Sequence, residues 1–104
     1  MKKPRLALSD AAVADILEQA DWYVAQSGDA LAKQWEEAVT SAILRVVSRP
    51  AVGTPCTFQS PELRDVRRTT ISGFPKHLLF YRFEGREIHI LRVMHGARDL
   101  ERLF

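Results

Sequence analysis

Only one of the 104 residues is a cysteine, Cys56. An internal disulfide is therefore impossible. With no Cys or His neighbour at zinc-finger spacing, a structural metal drops out as well, and the expected compartment is a reducing cytoplasm. Long apolar runs are absent too. The longest, Leu78-Leu79-Phe80-Tyr81, is strand-sized against the roughly 20 residues a membrane-spanning helix needs. Met1-Lys2-Lys3 could open a signal peptide, but Pro4-Arg5 and Ser9-Asp10 interrupt its apolar core, so neither export nor a membrane partner is expected. The sequence also lacks a Gly-rich nucleotide loop, H-E-x-x-H, G-x-S-x-G and a catalytic cysteine signature. Most cofactor-dependent and metal-dependent chemistries are thereby set aside, and the expectation is no cofactor and no metal.

What is present is an ordinary globular composition, 46% hydrophobic and 27% charged, at a length that predicts one domain over residues 1–104. The net charge of +2 is bland, but it is unevenly spread. Residues 1–52 carry six Lys/Arg against seven acids, and residues 53–104 carry nine against six. Between Arg64 and Arg98 lie eight bases (Arg64, Arg67, Arg68, Lys76, Arg82, Arg86, Arg92, Arg98) against Asp65, Glu84 and Glu87. Such a segment suits an acidic partner, nucleic acid or protein, or it is a solvated polar face.

Arg5 to Leu8 reads as a short strand that ends at Ser9, whose hydroxyl can cap a helix. Val13, Ile16, Leu17, Ala20 and Val24 then recur at helical spacing, with Trp22 and Tyr23 flanking the stripe. Gly28 stops that helix, and Asp29 is expected to cap a second one bearing Leu31, Trp35, Ala38, Val39, Ala42, Ile43 and Val46. Pro50 ends it, and the short link predicts an antiparallel helical hairpin. Residues 50–62 read as a loop rich in proline. Three strands are then predicted, Leu63 to Ile71, His77 to Phe83 and Glu87 to Met94, forming an antiparallel meander. The last has apolar residues on both faces, which places it inside the sheet with the first strand beside it. The fold class is α+β, a two-layer β-α-α-β-β-β arrangement with a helical hairpin on a small, mainly antiparallel sheet.

Of the three histidines, His77 and His89 read as structural or surface residues, whereas His95 ends the last strand beside Gly96 and lies three residues before Arg98. Metal-free RNA cleavage would need a general base, a general acid and fixed cations. Arg92, Arg98 and Arg68 could supply the cations and His95 the acid or base. Trp22, Tyr23 and Trp35 are either core or anchors for a partner's amphipathic segment.

The element order, the helix LSDAAVADILEQADWYVAQSG, the RP-x-x-G-x-P loop and above all EIHILRVMHGARD resemble the RelE/ParE superfamily of bacterial type II toxins, over nearly the whole chain. Within it, RelE-type members cut messenger RNA at the ribosome with arginines, lysines and a C-terminal Tyr or His-Tyr pair. Arg98 matches the arginine after the last strand. Phe104 stands where the tyrosine is expected, and Thr70 where a strand arginine is expected. These departures resemble ParE-type members, which trap DNA gyrase on cleaved DNA. The resemblance implies a ParD-like antitoxin as partner, with an acidic or amphipathic C-terminal segment contacting Trp22, Tyr23 and Trp35. It implies a target surface of Arg68, Arg92, His95, Arg98, Asp99, Arg102 and Phe104. Gyrase is the implied target, with the ribosome and messenger RNA as the alternative, in which Arg98, His95 and Arg92 would be the catalytic candidates.

Overall fold

The structure is a computed structural model that describes residues 4–96 and 100–104. Strand β1 (Arg5–Leu8) leads through Ser9 into helix α1 (Asp10–Ser27) and helix α2 (Asp29–Ser48). Strands β2 (Thr54–Pro55), β3 (Val66–Thr70), β4 (His77–Glu84) and β5 (Glu87–His95) follow, with 3₁₀ turns at Pro61–Leu63 and Leu100–Leu103. The five strands form one sheet in the order β1-β5-β4-β3-β2. Only the β1–β5 pair is parallel.

Local chemistry sets the element boundaries. The Ser9 hydroxyl accepts from the Ala12 amide at 3.0 Å, satisfying one orphan donor of α1. Gly28 turns the chain at φ +87°, a conformation that favours glycine. It is also the residue that caps α2, without a side-chain bond, so Asp29 is the first helical residue rather than the cap. Two further expectations shift at the predicted first strand of the meander. Leu63 belongs to a 3₁₀ turn, and Asp65, at φ +60°, redirects the chain so that pairing starts at Val66. The proline-rich loop contributes a two-residue strand, β2, at the sheet edge.

Strand alternation splits the sheet into two faces. Leu79, Tyr81, Ile88, Ile90 and Val93 point toward the helices and join Trp35, Val39, Ala42 and Val46 in the main core. Val66, Phe80 and Met94 point the other way and are covered by Phe58, Leu63 and Leu100 among others. The register runs Tyr81↔Ile90 and then Phe80↔Arg92, leaving Leu91 as a bulge that restarts the alternation.

The α1 stripe is rotated from its expected position. Ala12 and Ala20 are the buried positions, with Ile16 and Tyr23 packed beside them, while Val13, Leu17 and Val24 are exposed. The cause is Asp15. It accepts from the Val93 amide at 3.0 Å and takes the Arg92 guanidinium on both oxygens, at 2.7 and 2.9 Å. That pin turns the 12–16–20–23 side of the helix inward and the 13–17–24 side outward.

Candidate functional site

The C-terminal turn lies across the face of the sheet that the helices leave open. Glu101 accepts from the Gln59 amide at 2.6 Å and from the Ser60 hydroxyl at 3.0 Å. The Phe104 ring packs edge-on against both Phe58 and Phe80, each with centroids 5.4 Å away. The Leu103 carbonyl accepts from Arg92. Three separate tethers thus hold the segment, one electrostatic, one aromatic and one through the backbone. Arg68 lines a groove beside it with Cys56, Phe58, Leu100 and Glu101. Of the expected target surface, Arg68, Arg92 and Phe104 therefore converge on this segment, and Arg102 is exposed within it. Arg98 and Asp99 lie outside the described residues.

Arg92 does more structural work than the sequence suggests. Its guanidinium is shared between Asp15 and the Leu103 carbonyl, and the side-chain hydrogen bond to Asp15 raises its pKa further above the ordinary arginine value. Beyond Leu8 the edge of β5 has no strand partner among the described residues. Ser9 takes over, donating its amide to Ile90 and its hydroxyl to the Leu91 carbonyl, before Asp15 receives the Val93 amide. The edge is closed by a helix N-terminus instead of a strand.

At the end of β5, His95 meets His77 across the β4–β5 pair, rings 5.6 Å apart. His77 in turn stacks edge-on against Trp35 at 4.9 Å. Burial lowers the His77 pKa, and the neighbouring His95 lowers it further. A groove of roughly 540 Å³ opens here between α1 and β5, lined by Glu18, Trp22, Tyr23, His77, Arg92 and His95 among others. Trp22 is exposed at its rim, 55% accessible, and Tyr23 is half-buried behind it. Trp35 is fully buried, with its indole N–H donated to the Ile16 carbonyl, so it joins α1 to α2 and offers no surface to a partner. The three aromatics expected to contact a partner therefore divide into one exposed, one intermediate and one core residue.

Two features escaped the sequence reading. Tyr81 sends its hydroxyl under the loop after α2, donating to the Pro50 carbonyl at 2.6 Å and accepting from the Gly53 amide at 2.8 Å. The loop sits so close that a Cβ on Gly53 would come within 2.6 Å of that oxygen. Second, the arginines of the basic segment do not share a face. Arg67 bonds the Gly53 and Ala51 carbonyls on the helix side, Arg68 faces the C-terminal turn, and Arg82 ties the Arg64 and Glu62 carbonyls. Among the described residues no cluster of His, Cys, Asp and Glu could hold a metal ion.

Comparison with known proteins gives this geometry its family. A model of the ParE toxin of type II toxin–antitoxin systems (parDE) matches residues 6–100. The chain belongs to the ParE toxin family. It is thus a ParE-type toxin by family, and its fold agrees. The fold is similar to that of a chain in the chromosomal ParDE toxin–antitoxin system from P. aeruginosa, with a TM-score of 0.74 at 22% identity, covering 89% of this chain and 96% of that one. A YoeB/ParE toxin from Agrobacterium tumefaciens aligns with a TM-score of 0.61 at 12% identity, covering 89% and 99%. No curated protein matches the sequence. No described helix is long and apolar enough to cross a membrane.

Proposed function

We propose that this ParE-type toxin acts on DNA gyrase in the cytoplasm, trapping it on cleaved DNA, and that a ParD-like antitoxin silences it. The observation that supports gyrase over the ribosome is Phe104. The RelE-like pattern calls for a tyrosine hydroxyl there, and this chain supplies an apolar ring packed against Phe58 and Phe80. Arg92, the second cation such chemistry would draw on, already has its charge matched by Asp15. The remaining surface suits binding better than proton transfer.

The antitoxin half of the reading is supported by the exposed apolar side chains on β1 and the hairpin. Leu17, Trp22 and Leu44 are each more than half accessible, at 55%, 55% and 59%. An amphipathic segment that orders on binding would cover them.

The purified toxin, added to gyrase with supercoiled plasmid, is expected to accumulate cleaved DNA, and an equimolar ParD-like antitoxin is expected to prevent it. The same toxin added to a translation reaction is expected to leave messenger RNA intact. Ribosome-dependent cuts with no effect on gyrase would reverse the assignment and return His95 and Arg98 to a catalytic role.

A further inference from the structure

Helix α1 carries four acids, Asp10, Asp15, Glu18 and Asp21, and no lysine or arginine. Two of the four serve the fold. Asp10 lies in the first turn, where a negative charge complements the helix dipole, and Asp15 holds Arg92. Glu18 and Asp21 have no such use. Asp15, Glu18 and Asp21 follow one another at three-residue spacing, which sets like charges side by side on the helix and opposes its formation. Among the described residues Glu18 attracts Arg92 only from beyond ion-pairing distance, and Asp21 has no ion pair. Asp21 also lies in the half of α1 nearer the negative end of its dipole, and the last turn contains no base. Of the two cations on α2, Arg45 bonds Thr69 and Thr70, and Lys33 lies one turn from both Asp29 and Glu37.

These charges border an apolar ridge. Val13, Leu17, Asp21 and Val24 succeed one another at spacings of four, four and three, so they line up along one side of α1. The three apolar members are 41%, 55% and 44% accessible. Single exposed apolar side chains are ordinary, but three in one row along a helix mark an interaction surface. On the neighbouring ridge Glu18 lies one turn before Trp22, and both line the groove between α1 and β5. Apolar residues three and four apart accept the apolar face of a second helix, which meets them with anchors at the same spacing. The carboxylates then select the polar residues of that helix. Acidic ones would meet Glu18 and Asp21 as like charges, whereas lysine or arginine would supply the cations that the fold does not.

We propose that the α1 ridge of Val13, Leu17 and Val24 receives a basic amphipathic helix of the antitoxin, with its lysines or arginines against Glu18 and Asp21. Such a helix rests on the antitoxin reading above and adds to it the chemistry of the segment. Over α1 the segment is apolar and basic, not acidic.

The test is calorimetric titration of the full chain with a ParD-like antitoxin at about 50 and 500 mM salt, the higher of which screens exposed charge pairs. Glu18→Gln combined with Asp21→Asn should weaken binding roughly 2- to 30-fold at the lower salt, as expected for two exposed pairs, and by less at the higher. Leu17→Ala should weaken it about 5- to 30-fold at both. Glu62→Gln, in the 3₁₀ turn that reaches the other face of the sheet through Leu63, should change neither. Without antitoxin, the double variant should melt at or slightly above the Tm of the parent, because it relieves like-charge neighbours. A lower Tm would mean that the two acids serve the fold, and would overturn the proposal. So would unchanged affinity in the double variant or in Leu17→Ala, or an equal loss in Glu62→Gln, which would mean diffuse attraction. Tighter binding by the double variant would overturn it as well, placing an acidic segment on α1. Absence of binding by the parent chain is a different result: it would remove the antitoxin reading itself, and this helix with it.

Discussion

Tyr81 shows how one side chain can carry both a core and a loop. Its ring lies in the main core, and its hydroxyl closes the turn that follows α2. Burial raises its pKa, and nearby Arg67 and Arg45 partly offset that rise. Tyr81→Phe would keep the ring and remove both hydrogen bonds, leaving the Gly53 amide without an acceptor. The expected loss is about 1–2 kcal/mol, read as a Tm fall of roughly 5–15 °C. His77 gives the pH dependence. Its folded-state pKa lies below the unfolded value of 6.5, so the unfolded chain takes up a proton first as pH falls. The stability His77 contributes is therefore complete above about pH 6.5 and is lost as pH drops through the folded value. Thermal unfolding between about pH 5 and 8 should show a shallower acid loss in His77→Gln than in the parent. An identical slope in both would mean that His77 does not drive the acid sensitivity.

At the scale of elements, the most consequential contact joins residues 77 apart in sequence, Asp15 and Arg92. Periodicity assigns Asp15 to the solvent side of α1 because aspartate is usually exposed, and nothing local says that an unpaired strand edge awaits it. Ser9, Gly28 and Pro50, by contrast, act within a few residues of themselves, so the hairpin and its ends were legible. The meander was legible from alternation, whereas β2 is too short to carry a pattern. The C-terminal turn is held by Gln59, Ser60, Phe58 and Phe80, all distant in sequence, and could not be read in advance. Arg92→Gln should test the edge closure. It removes the charge opposite Asp15, whose side chain is only 13% accessible, at an expected cost of about 1.5–3 kcal/mol. Hydrogen exchange should accelerate at the Val93 amide and in Leu100–Leu103 together. Acceleration at only one of them would mean that Arg92 does not couple α1 to the C-terminal turn.

For the whole molecule, the two faces of the sheet have different coverings. A continuous core of helix and strand residues lies on one, and a thin layer from the loop and C-terminus lies on the other. The uneven charge seen in the sequence does not become one basic face, because Arg67 turns to the helix side of the sheet while Arg68 and Arg92 flank Phe80 on the other. Partner and stability roles are expected to fall on different residues, and the two tryptophans test this. They lie on the same aromatic chain, Trp22 to Tyr23 to Trp35, with centroids 5.6 and 5.9 Å apart, yet one ends in solvent and the other in the core. Trp35→Ala empties the centre of the hairpin and should cost about 3–5 kcal/mol, enough to unfold a marginal domain. Trp22→Ala removes an exposed ring and should leave Tm within a few degrees of the parent. If the antitoxin covers the hairpin, Trp22→Ala should weaken its binding by about tenfold or more, the loss expected of a central aromatic anchor. Calorimetric titration of the folded variant with a ParD-like antitoxin measures this directly. Unchanged affinity would move the antitoxin away from this rim, while leaving the role of Trp35 in the core intact.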